Sequence, residues 1–368
     1  MKGLVMKVNF QRGNIADLEG YVSGEQRDDV DLIKLNTNEN AYPASPLTQQ
    51  LLTQISIGDL RRYPQPTSDA FRQEAAALHG IKAENIIATR GGDELLRLLL
   101  TTFVDPGAAV GMTDLTYSLY PILTRIQDAR PFSVPLTDNW LLPTDFSDQI
   151  NAEPCQLTFV VNPHAPTGIL TGAAELIDIS KNIKGLLVID EAYVNFIGDP
   201  DYDLSRFAAE SENVVLLRTL SKGYGLAGLR FGYGIGPRHL IEPMLHKTRD
   251  SYNLDAISQA LATVAIKDQA YARDNWHKIS QHREDLVQQL RQIGFDCLPS
   301  QANFVLATVP QTSPISADLI YRGLKAHNIL VRYFPDERLA DKLRITVGRP
   351  EEHARLMTAL SQLLDSHA

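Results

Sequence analysis

Short runs of apolar residues alternate with segments of helix length through the middle of this chain of 368 residues. The runs are apolar throughout, whereas a strand with one solvated face would alternate apolar with polar residues. They therefore predict an α/β fold with a mostly parallel sheet covered by helices on both faces. The runs are NIIAT (85–89), AAVGM (108–112), LTFVV (157–161), GLLVID (185–190) and NVVLLRTL (213–220).

The pattern differs on either side of this region. The first 45 or so residues are irregular and polar, and TSDAFRQEAAALHG (67–80) then predicts a helix with Thr67 or Ser68 as N-cap and Gly80 as its end. After residue 255 a helical period continues to Gly294 without a break. NFVLATV, ILVRYF and KLRITVG then predict strands, with helices at 315–327 and 351–364, which together indicate a smaller α+β domain.

We therefore expect three parts. Residues 1–45 form an N-terminal segment that joins the small domain, residues 46–255 form the large domain, and residues 256–368 form the small α+β domain. The boundary between the two domains is expected in or near the long helix, without a flexible linker.

Composition and charge narrow the class of protein. The fractions of hydrophobic (44%) and charged (21%) residues are those of an ordinary globular protein, and the net charge of −9 argues against nucleic acid or an anionic membrane as partner. The two cysteines, Cys155 and Cys297, form no CxxC pair, so neither a disulfide framework nor a zinc site is predicted. We see neither a signal peptide nor 18 consecutive apolar residues, and we expect a cytoplasmic protein.

A carboxylate and a lysine end two of the predicted strands. Asp190 ends GLLVID, and Lys222 follows NVVLLRTL in RTLSKGYGLAGLRFG. Ligands bind at the carboxyl ends of the strands in such sheets. Asp190 could simply cap the next turn, and Lys222 could be a surface charge. Together they suit pyridoxal phosphate, because a buried lysine amine can bond to its aldehyde and a carboxylate can keep its ring nitrogen protonated.

A phosphate site is predicted at the same edge. The glycines of RGGDELLRLLL lie at a strand-to-helix turn, so the N–H groups of Gly92, Asp93 and Glu94 can face an anion. Further candidate donors are the hydroxyls of Thr219 and Ser221 and the guanidinium of Arg230, eight residues after Lys222. Two aromatic side chains can reach the pocket as well: Tyr117, which could stack on a planar ring or be a half-buried aromatic, and Tyr193.

Three other patterns are weaker. GYGLAG (223–228) matches the GxGxxG of dinucleotide sites, but it lies past residue 220 and does not directly follow a strand. His277 and His282 lack the i, i+4 spacing of a two-histidine metal face, so no metal site is predicted. Glu191 points away from Asp190 if the strand continues, and we assign it no chemical role.

At this point the residues resemble a known family. RTLSKGYGLAGLRFGYGIG, VIDEAYVNF, RGGDELLRLL and KLNTNENAYPASP look like segments of the histidinol-phosphate aminotransferases, which are fold type I, pyridoxal-phosphate-dependent enzymes. The resemblance runs from about residue 17 to the C-terminus. It implies transamination of L-histidinol phosphate with 2-oxoglutarate by a cytoplasmic homodimer. Aromatic amino acid aminotransferase and threonine-phosphate decarboxylase activities remain alternatives on the same fold, because a few pocket residues decide specificity.

The resemblance also assigns roles to single residues. It implies that Lys222 holds the internal aldimine and moves the substrate proton. Residues 1–45 would cover the site, and residues 46–255 would form the cofactor-binding domain. Further contacts to the cofactor are implied for Asp190 at the ring nitrogen, Tyr193 at the phenolic oxygen, Tyr117 on the ring face, and Gly92, Asp93, Thr219, Ser221 and Arg230 at the phosphate. Tyr63 in LRRYPQPT would reach the phosphate of the neighbouring subunit. Substrate contacts are implied for Tyr21, Asn36, Asn40, Arg332 and Arg344.

The chain departs from the family at one position. The family usually has NPNNPTG, in which the asparagine before PTG contacts the phenolic oxygen, but this chain has NPHAPTG with Ala165 there. A methyl group cannot donate a hydrogen bond. Asn162 or His164 could take over, and the sequence leaves this open. Arg344 could also be a strand arginine in a surface ion pair. A nicotinamide dehydrogenase and a non-catalytic protein with the same fold are the alternatives of another class.

Overall fold

The computed structural model describes residues 10–27 and 29–366. Its strands are β1 (Ile33–Lys34), β2 (Ile86–Thr89), β3 (Ala109–Thr113), β4 (Arg130–Val134), β5 (Leu157–Val161), β6 (Leu186–Asp190), β7 (Val214–Thr219), β8 (Gly232–Ile235), β9 (Asp296–Cys297), β10 (Phe304–Thr308), β11 (Ile329–Leu330), β12 (Arg332–Tyr333) and β13 (Lys342–Thr346).

The helices surround these strands along the chain. They are α1 (Gly13–Ala16), α2 (Pro46–Leu52), α3 (Asp69–His79), α4 (Gly91–Phe103), α5 (Leu119–Ile126), α6 (Phe146–Ala152), α7 (Ala173–Asn182), α8 (Ser205–Glu210), α9 (Arg238–Pro243), α10 (Ala256–Lys267), α11 (Gln269–Gln292), α12 (Ala317–Ala326) and α13 (Pro350–Asp365). No described helix is long and apolar enough to cross a bilayer.

Seven strands form the large sheet, in the order β2-β8-β7-β6-β5-β3-β4. All neighbours are parallel except β8, which runs antiparallel to β2 and β7. Alternate residues of β6 enter two separate apolar clusters: Leu187 and Ile189 pack with α3, α7 and α10, whereas Leu186 and Val188 pack with α4 and α5. Both faces of the sheet are therefore covered, and the predicted α/β fold class is confirmed.

A second sheet lies in the C-terminal part of the chain. Its four strands are antiparallel in the order β12-β13-β10-β9, and α11, α12 and α13 pack against them. The N-terminal segment joins this part, because β1 pairs with β11 and Ile33 and Leu35 enter the same apolar cluster. The exact domain boundaries, 1–45, 46–255 and 256–368, stay a prediction.

The long helix expected to continue to Gly294 is in fact two helices. The chain leaves helical geometry at Asp268, where ψ is 63° between α10 and α11. The Asp268 carboxylate accepts a hydrogen bond from the backbone N–H of Tyr271, so it caps α11. Aspartate competes in this way for backbone donors, which favours helix starts over helix interiors. The prediction of one unbroken helix was wrong for this reason.

The turn between β7 and β8 determines where the site lies. It contains GYGLAG, which leads through a short 3₁₀ turn (Ala227–Leu229) into β8 and not into an α-helix. Gly225 has φ +66°, and a Cβ there would lie 2.8 Å from the carbonyl oxygen of Tyr42. Gly225 therefore allows a tight turn against the N-terminal segment. A dinucleotide-binding motif would be followed by an α-helix, and this turn is followed by a strand.

Candidate active site

A cavity of about 720 Å³ opens at the carboxyl ends of the large sheet. Its walls come from the large sheet and its loops, from the N-terminal segment around Thr37, and from the small sheet at β12 and β13. The predicted site residues that line it are Tyr21, Asn36, Gly92, Asp93, Tyr117, Asp190, Tyr193, Thr219, Ser221, Lys222, Arg230, Arg332 and Arg344. Residues from distant parts of the sequence therefore meet in one pocket.

Lys222 reaches into this cavity from the turn after β7. Its Nζ donates a hydrogen bond to the carbonyl oxygen of Thr37 at 3.0 Å. Burial, with the positive charges of Arg344 and Arg230, lowers the pKa of Lys222 to about 8. At pH 7 roughly a tenth of the side chain is therefore an uncharged amine, far more than for a lysine in water, and the uncharged amine is the nucleophilic form.

Asp190 lies at the end of the neighbouring strand β6. One carboxylate oxygen accepts from the hydroxyl of Tyr120 at 2.6 Å and the other from the N–H of Ala192 at 3.0 Å. Burial raises the pKa of Asp190 to about 6, with these hydrogen bonds acting in the opposite direction. The side chain is still mainly an anion at pH 7, held in place and facing a cavity that contains cationic groups.

An anion cradle forms at the start of α4. Gly91 has φ +70°, and a Cβ there would lie 2.9 Å from Nη2 of Arg230. Arg230 itself has φ 56°, and its Nη2 lies 3.1 Å from Oδ2 of Asp93. The free N–H groups of a helix start, together with a guanidinium and the hydroxyls of Thr219 and Ser221, suit a phosphate.

Glu94 occupies a different place from its predicted neighbours. It is not among the cavity-lining residues of the described chain. Its Oε2 accepts from the backbone N–H of Arg90, and it also accepts from Nδ2 of Asn253 at 2.9 Å. The side chain therefore caps α4, and only its backbone N–H is left as a possible contact to an anion.

Two arginines form the far end of the cavity. Arg332 and Arg344 are Cα partners on the antiparallel strands β12 and β13, and both guanidiniums lie over the ring of Phe334, at 5.4 and 5.5 Å. Arg344 donates from Nη2 to the carbonyl oxygen of Asn36 at 2.9 Å, but its buried Nε has no hydrogen-bond partner among the described residues. Arg344 is thus not a surface ion pair, and the two cations can accept a ligand anion.

The aromatic residues lie between these groups. Tyr117 contacts Tyr21 edge to face, with ring centroids 5.9 Å apart, and its hydroxyl lies 3.5 Å from Oδ1 of Asp93. Burial raises the pKa of Tyr117 and of Tyr193, so both remain neutral phenols and can donate a proton to a hydrogen bond.

Asn40 does not line the cavity in the described chain. Its Nδ2 donates to the backbone carbonyl oxygens of Lys222 (2.8 Å) and Gly223 (3.2 Å), and its Oδ1 accepts from the N–H of Tyr42. The side chain is used to fix the backbone that carries Lys222. The substrate contact expected of Asn40 stays a prediction.

Tyr63 lies on the outer surface of the chain. Its side chain is 81% exposed and stacks on Tyr252, with ring centroids 4.5 Å apart. Tyr63 is not among the residues that line the cavity in the described part of the chain. Glu191, to which no chemical role was assigned, is buried in an ion pair with Arg218 at 2.7 Å.

The contacts of Asn162 and His164 show whether either side chain replaces the amide that the family usually has at the position of Ala165. Ala165 lines the cavity with its methyl group. Asn162 donates elsewhere, to the carbonyl oxygen of Thr171 and the hydroxyl of Tyr202, and His164 contacts Thr167 and the carbonyl oxygen of Leu115. Neither side chain reaches the pocket in place of the missing amide.

Sequence reasoning missed two polar residues beside the cavity. Tyr120 bonds to Asp190, and Asn38 donates to the hydroxyl of Tyr193 at 3.0 Å. Tyr120 lies in the first turn of α5, three residues after Tyr117, and their rings contact edge to face with centroids 5.6 Å apart. Asn38 has φ 55°, and asparagine is enriched in that left-handed region. Both signals are weak without the fold.

A doubly covered, mostly parallel sheet with a lysine, an aspartate and an anion cradle at its carboxyl edge defines a candidate enzyme site. A sequence model of the family described as aminotransferase class I and II matches residues 30–360. The chain belongs to this family and is an aminotransferase.

Individual relatives and a solved structure are similar to this chain over nearly its whole length. Histidinol-phosphate aminotransferase 1 of Trichormus variabilis is 40% identical over 357 residues, covering 97% of this chain and 99% of the relative. The histidinol-phosphate aminotransferase of Geotalea uraniireducens is 40% identical and covers 96% of this chain and 99% of the relative. The crystal structure of histidinol-phosphate aminotransferase from Sinorhizobium meliloti, in complex with pyridoxal-5′-phosphate, has a TM-score of 0.88 at 25% identity and covers 99% of this chain and 100% of that chain.

The lowered pKa of Lys222 can be tested on the protein without bound cofactor. The reaction of Lys222 with an acylating reagent is expected to reach half of its maximal rate near pH 8, because only the neutral amine reacts. Lys278 is the internal control, since its ion pair with Asp274 raises its pKa above the usual value. Mass spectrometry of one digest measures both. A Lys222 profile that rises together with that of Lys278 would contradict this assignment.

Proposed function

We propose that this aminotransferase binds pyridoxal 5′-phosphate through Lys222 and transfers the amino group of L-histidinol phosphate to 2-oxoglutarate, as in histidine biosynthesis. The observation that carries the proposal is the position of Lys222, between the anion cradle at Arg230 and the arginine pair Arg332 and Arg344. The names of the 40% identical relatives support the substrate, and the ligand of the Sinorhizobium meliloti structure supports the cofactor.

The residues present fit the cofactor. Several buried polar atoms around the cavity have no hydrogen-bond partner within the described chain: Asn36 Oδ1, Thr37 Oγ1, Thr116 Oγ1 and Arg344 Nε. Buried polar atoms in native proteins are nearly always paired, so these atoms indicate a polar ligand. The cradle at Gly92 and Arg230 matches a phosphate, and Asp190 on another wall matches a protonated ring nitrogen.

When bound, pyridoxal phosphate supplies an aldehyde carbon and a ring that withdraws electrons from the amine carbon of the substrate. Asp190 holds a proton at the ring nitrogen, and its own position is fixed by Tyr120. Tyr193 would donate a hydrogen bond to the cofactor, and Tyr117 would stack on its ring. Lys222 would bond to the aldehyde carbon of the cofactor at rest, and as a free amine it would carry the proton from Cα of the substrate to that carbon.

The arginine pair binds the far anion of each substrate. Histidinol phosphate carries a phosphate and 2-oxoglutarate a distal carboxylate, and a planar guanidinium forms two parallel hydrogen bonds with either group. Burial disfavours the charged form and so lowers the pKa of Arg344, although arginine stays protonated at all physiological pH values. A buried cation of this kind gains more from a bound anion than an exposed one would.

The holoenzyme tests the function directly. We expect excess histidinol phosphate, without any keto acid, to convert the absorbance of the lysine-bound cofactor into that of its amine form. 2-Oxoglutarate is expected to reverse the change. The Lys222→Ala variant should fold and retain cofactor through the cradle but show no turnover, because both the amine and the proton carrier are lost. Wild-type turnover in that variant would contradict the role of Lys222.

The same spectra separate the alternatives. Cofactor absorbance that ignores histidinol phosphate but responds to aromatic amino acids would indicate an aromatic aminotransferase. Release of carbon dioxide from phosphothreonine would indicate the decarboxylase. A protein that binds no pyridoxal phosphate would overturn the proposal as a whole.

The arginine pair has its own test. Arg344→Lys is expected to raise KM for histidinol phosphate by about tenfold or more with a smaller effect on kcat, because the bidentate contact is lost while the charge remains. Arg322→Lys is the matched control, since Arg322 is an exposed helix residue paired with Asp318. Steady-state kinetics with histidinol phosphate and with unphosphorylated histidinol measure the difference. An equal KM change for both amines would show that Arg344 does not bind the phosphate.

We also propose a homodimer in which Tyr63 completes the phosphate site of the partner subunit. Six apolar or aromatic side chains near α2 and Tyr63 are each more than 40% exposed: Leu47, Leu52, Ile57, Leu60, Tyr63 and Tyr252. Exposed apolar patches of this kind mark association surfaces in soluble proteins. The proposal rests on this surface and on the matching RYP segment.

Mixed dimers test this arrangement. Subunits carrying Lys222→Ala and subunits carrying Tyr63→Ala are expected to regain activity on mixing, because one site of the mixed dimer then has both native residues. Mixing Lys222→Ala with Arg344→Lys is the control, since both residues line the cavity of the same subunit and no site is restored. Sedimentation measures whether the protein forms a dimer. Absence of any gain with the Tyr63 variant would place Tyr63 outside the partner's site.

A further inference from the structure

Asn38 lies beside the cavity, and both its backbone and its side chain form hydrogen bonds. It is 1% exposed and has φ 55°, a conformation that is costly for a residue with a side chain. Its backbone N–H donates to Oγ1 of Thr346, and its backbone carbonyl oxygen accepts from Nδ2 of Asn303. Two small-domain residues therefore hold the backbone of Asn38 in place.

The side chain of Asn38 links Thr346 to Tyr193. Thr346 Oγ1 donates to Oδ1 of Asn38 at 3.1 Å, and Nδ2 of Asn38 donates to the hydroxyl of Tyr193 at 3.0 Å. An amide nitrogen can only donate, so the Tyr193 oxygen accepts here, and its own hydrogen is left to point elsewhere. Tyr193 lines the cavity, which is the open direction for that hydrogen.

We propose that Asn38 is a positioning residue that sets the direction of the Tyr193 hydrogen bond, so that Tyr193 always donates into the cavity, to the ring oxygen of the cofactor. This inference rests on the proposed function and deepens it. Thr346, Asn38 and Tyr193 then form one directed chain of donors that crosses from the small sheet to the large one.

The residues around Tyr193 explain why the direction of its hydrogen bond matters. Ala165 offers no donor, and the amide of Asn162 is used elsewhere, so Tyr193 is left to serve the ring oxygen. Among the described residues, the charged or titratable groups that interact with Tyr193 include Arg344, Asp190, Tyr21, Tyr117 and Tyr120. A hydroxyl that already accepts a hydrogen bond is also a stronger donor, because neighbouring hydrogen bonds polarise one another.

The absorbance of bound cofactor as a function of pH tests the proposal without measuring turnover. A donor to the ring oxygen draws negative charge from it, so the neighbouring nitrogen that joins Lys222 to the cofactor holds its proton less tightly. Tyr193→Phe is expected to raise the midpoint of this titration by ~1 pH unit. Asn38→Asp should raise it similarly, because a carboxylate only accepts and turns the Tyr193 hydrogen away from the cavity.

A second variant separates hydrogen bonding from charge and from misfolding. Asn38→Gly adopts φ 55° without strain and introduces no charge. We expect it to raise the midpoint by a few tenths of a unit, since Tyr193 keeps its hydrogen but loses its orientation. Asn85→Asp is the control, because Asn85 is a buried asparagine just before the start of β2 and does not line the cavity of the described chain. Its Nδ2 donates to the carbonyl oxygens of Ala209 and Gly236. This control should leave the midpoint unchanged.

The double variant that combines Asn38→Gly with Tyr193→Phe tests whether Asn38 acts through Tyr193. If Asn38 acts through Tyr193, Asn38→Gly has no further effect on the midpoint in the Tyr193→Phe background, since coupled residues are not additive. An equal shift in both backgrounds, or a wild-type midpoint in the Asn38 variants, would overturn the proposal, as would a Tyr193→Phe midpoint that does not move. Failure of the wild-type protein to bind pyridoxal phosphate would instead contradict the proposed function.

Discussion

The site depends on the fact that the large sheet is covered on both faces. Strands β5, β6 and β7 are buried at every position, so they offer no solvated face on which polar side chains could lie. An unpaired polar or charged group within such a sheet would cost several kcal/mol, since nothing replaces its hydration. A charged side chain within a strand, such as Arg218 of β7, is held in a buried ion pair, and the polar groups that can meet a ligand lie at the carboxyl edge, where the strands end and the loops begin.

The order of the strands then determines which residues meet. Strands β6, β7 and β8 are neighbours, so Asp190 at the end of β6, Lys222 after β7 and Arg230 just before β8 come to one edge. The antiparallel direction of β8 matters here, because it returns the chain beside Gly91 at the start of α4. The lysine amine is thereby enclosed among cations and apolar walls, and this enclosure lowers its pKa.

The small sheet and the N-terminal segment contribute the other half of the cavity. Arg332 and Arg344 come from β12 and β13, while Thr37 and Asn38 come from the segment that pairs with the small sheet through β1. Thr37 contacts Lys222, and Asn38 contacts Tyr193. These hydrogen bonds connect the segment attached to the small sheet with Lys222 and Tyr193, the two residues for which we propose contacts to the cofactor.

Much of this could be predicted from local patterns. Continuous apolar runs identify buried strands, and a polar residue just after such a run lies at the sheet edge whatever the rest of the chain does. The break at Asp268 could not be predicted in this way, because one capping aspartate outweighs a helical period that continues on both sides. The role of Asn40 depends on the carbonyl of Lys222, and that of Asn38 on Tyr193, and both partners are remote in sequence. Such pairs are set by tertiary packing alone.

The central claim is that the amine of Lys222 bonds to the cofactor. Borohydride reduction of the protein loaded with pyridoxal phosphate makes that bond permanent, and mass spectrometry of the digest then locates it. The account predicts one phosphopyridoxyl group per chain, on the peptide that contains Lys222. A modified lysine elsewhere, with Lys222 intact, would contradict the account.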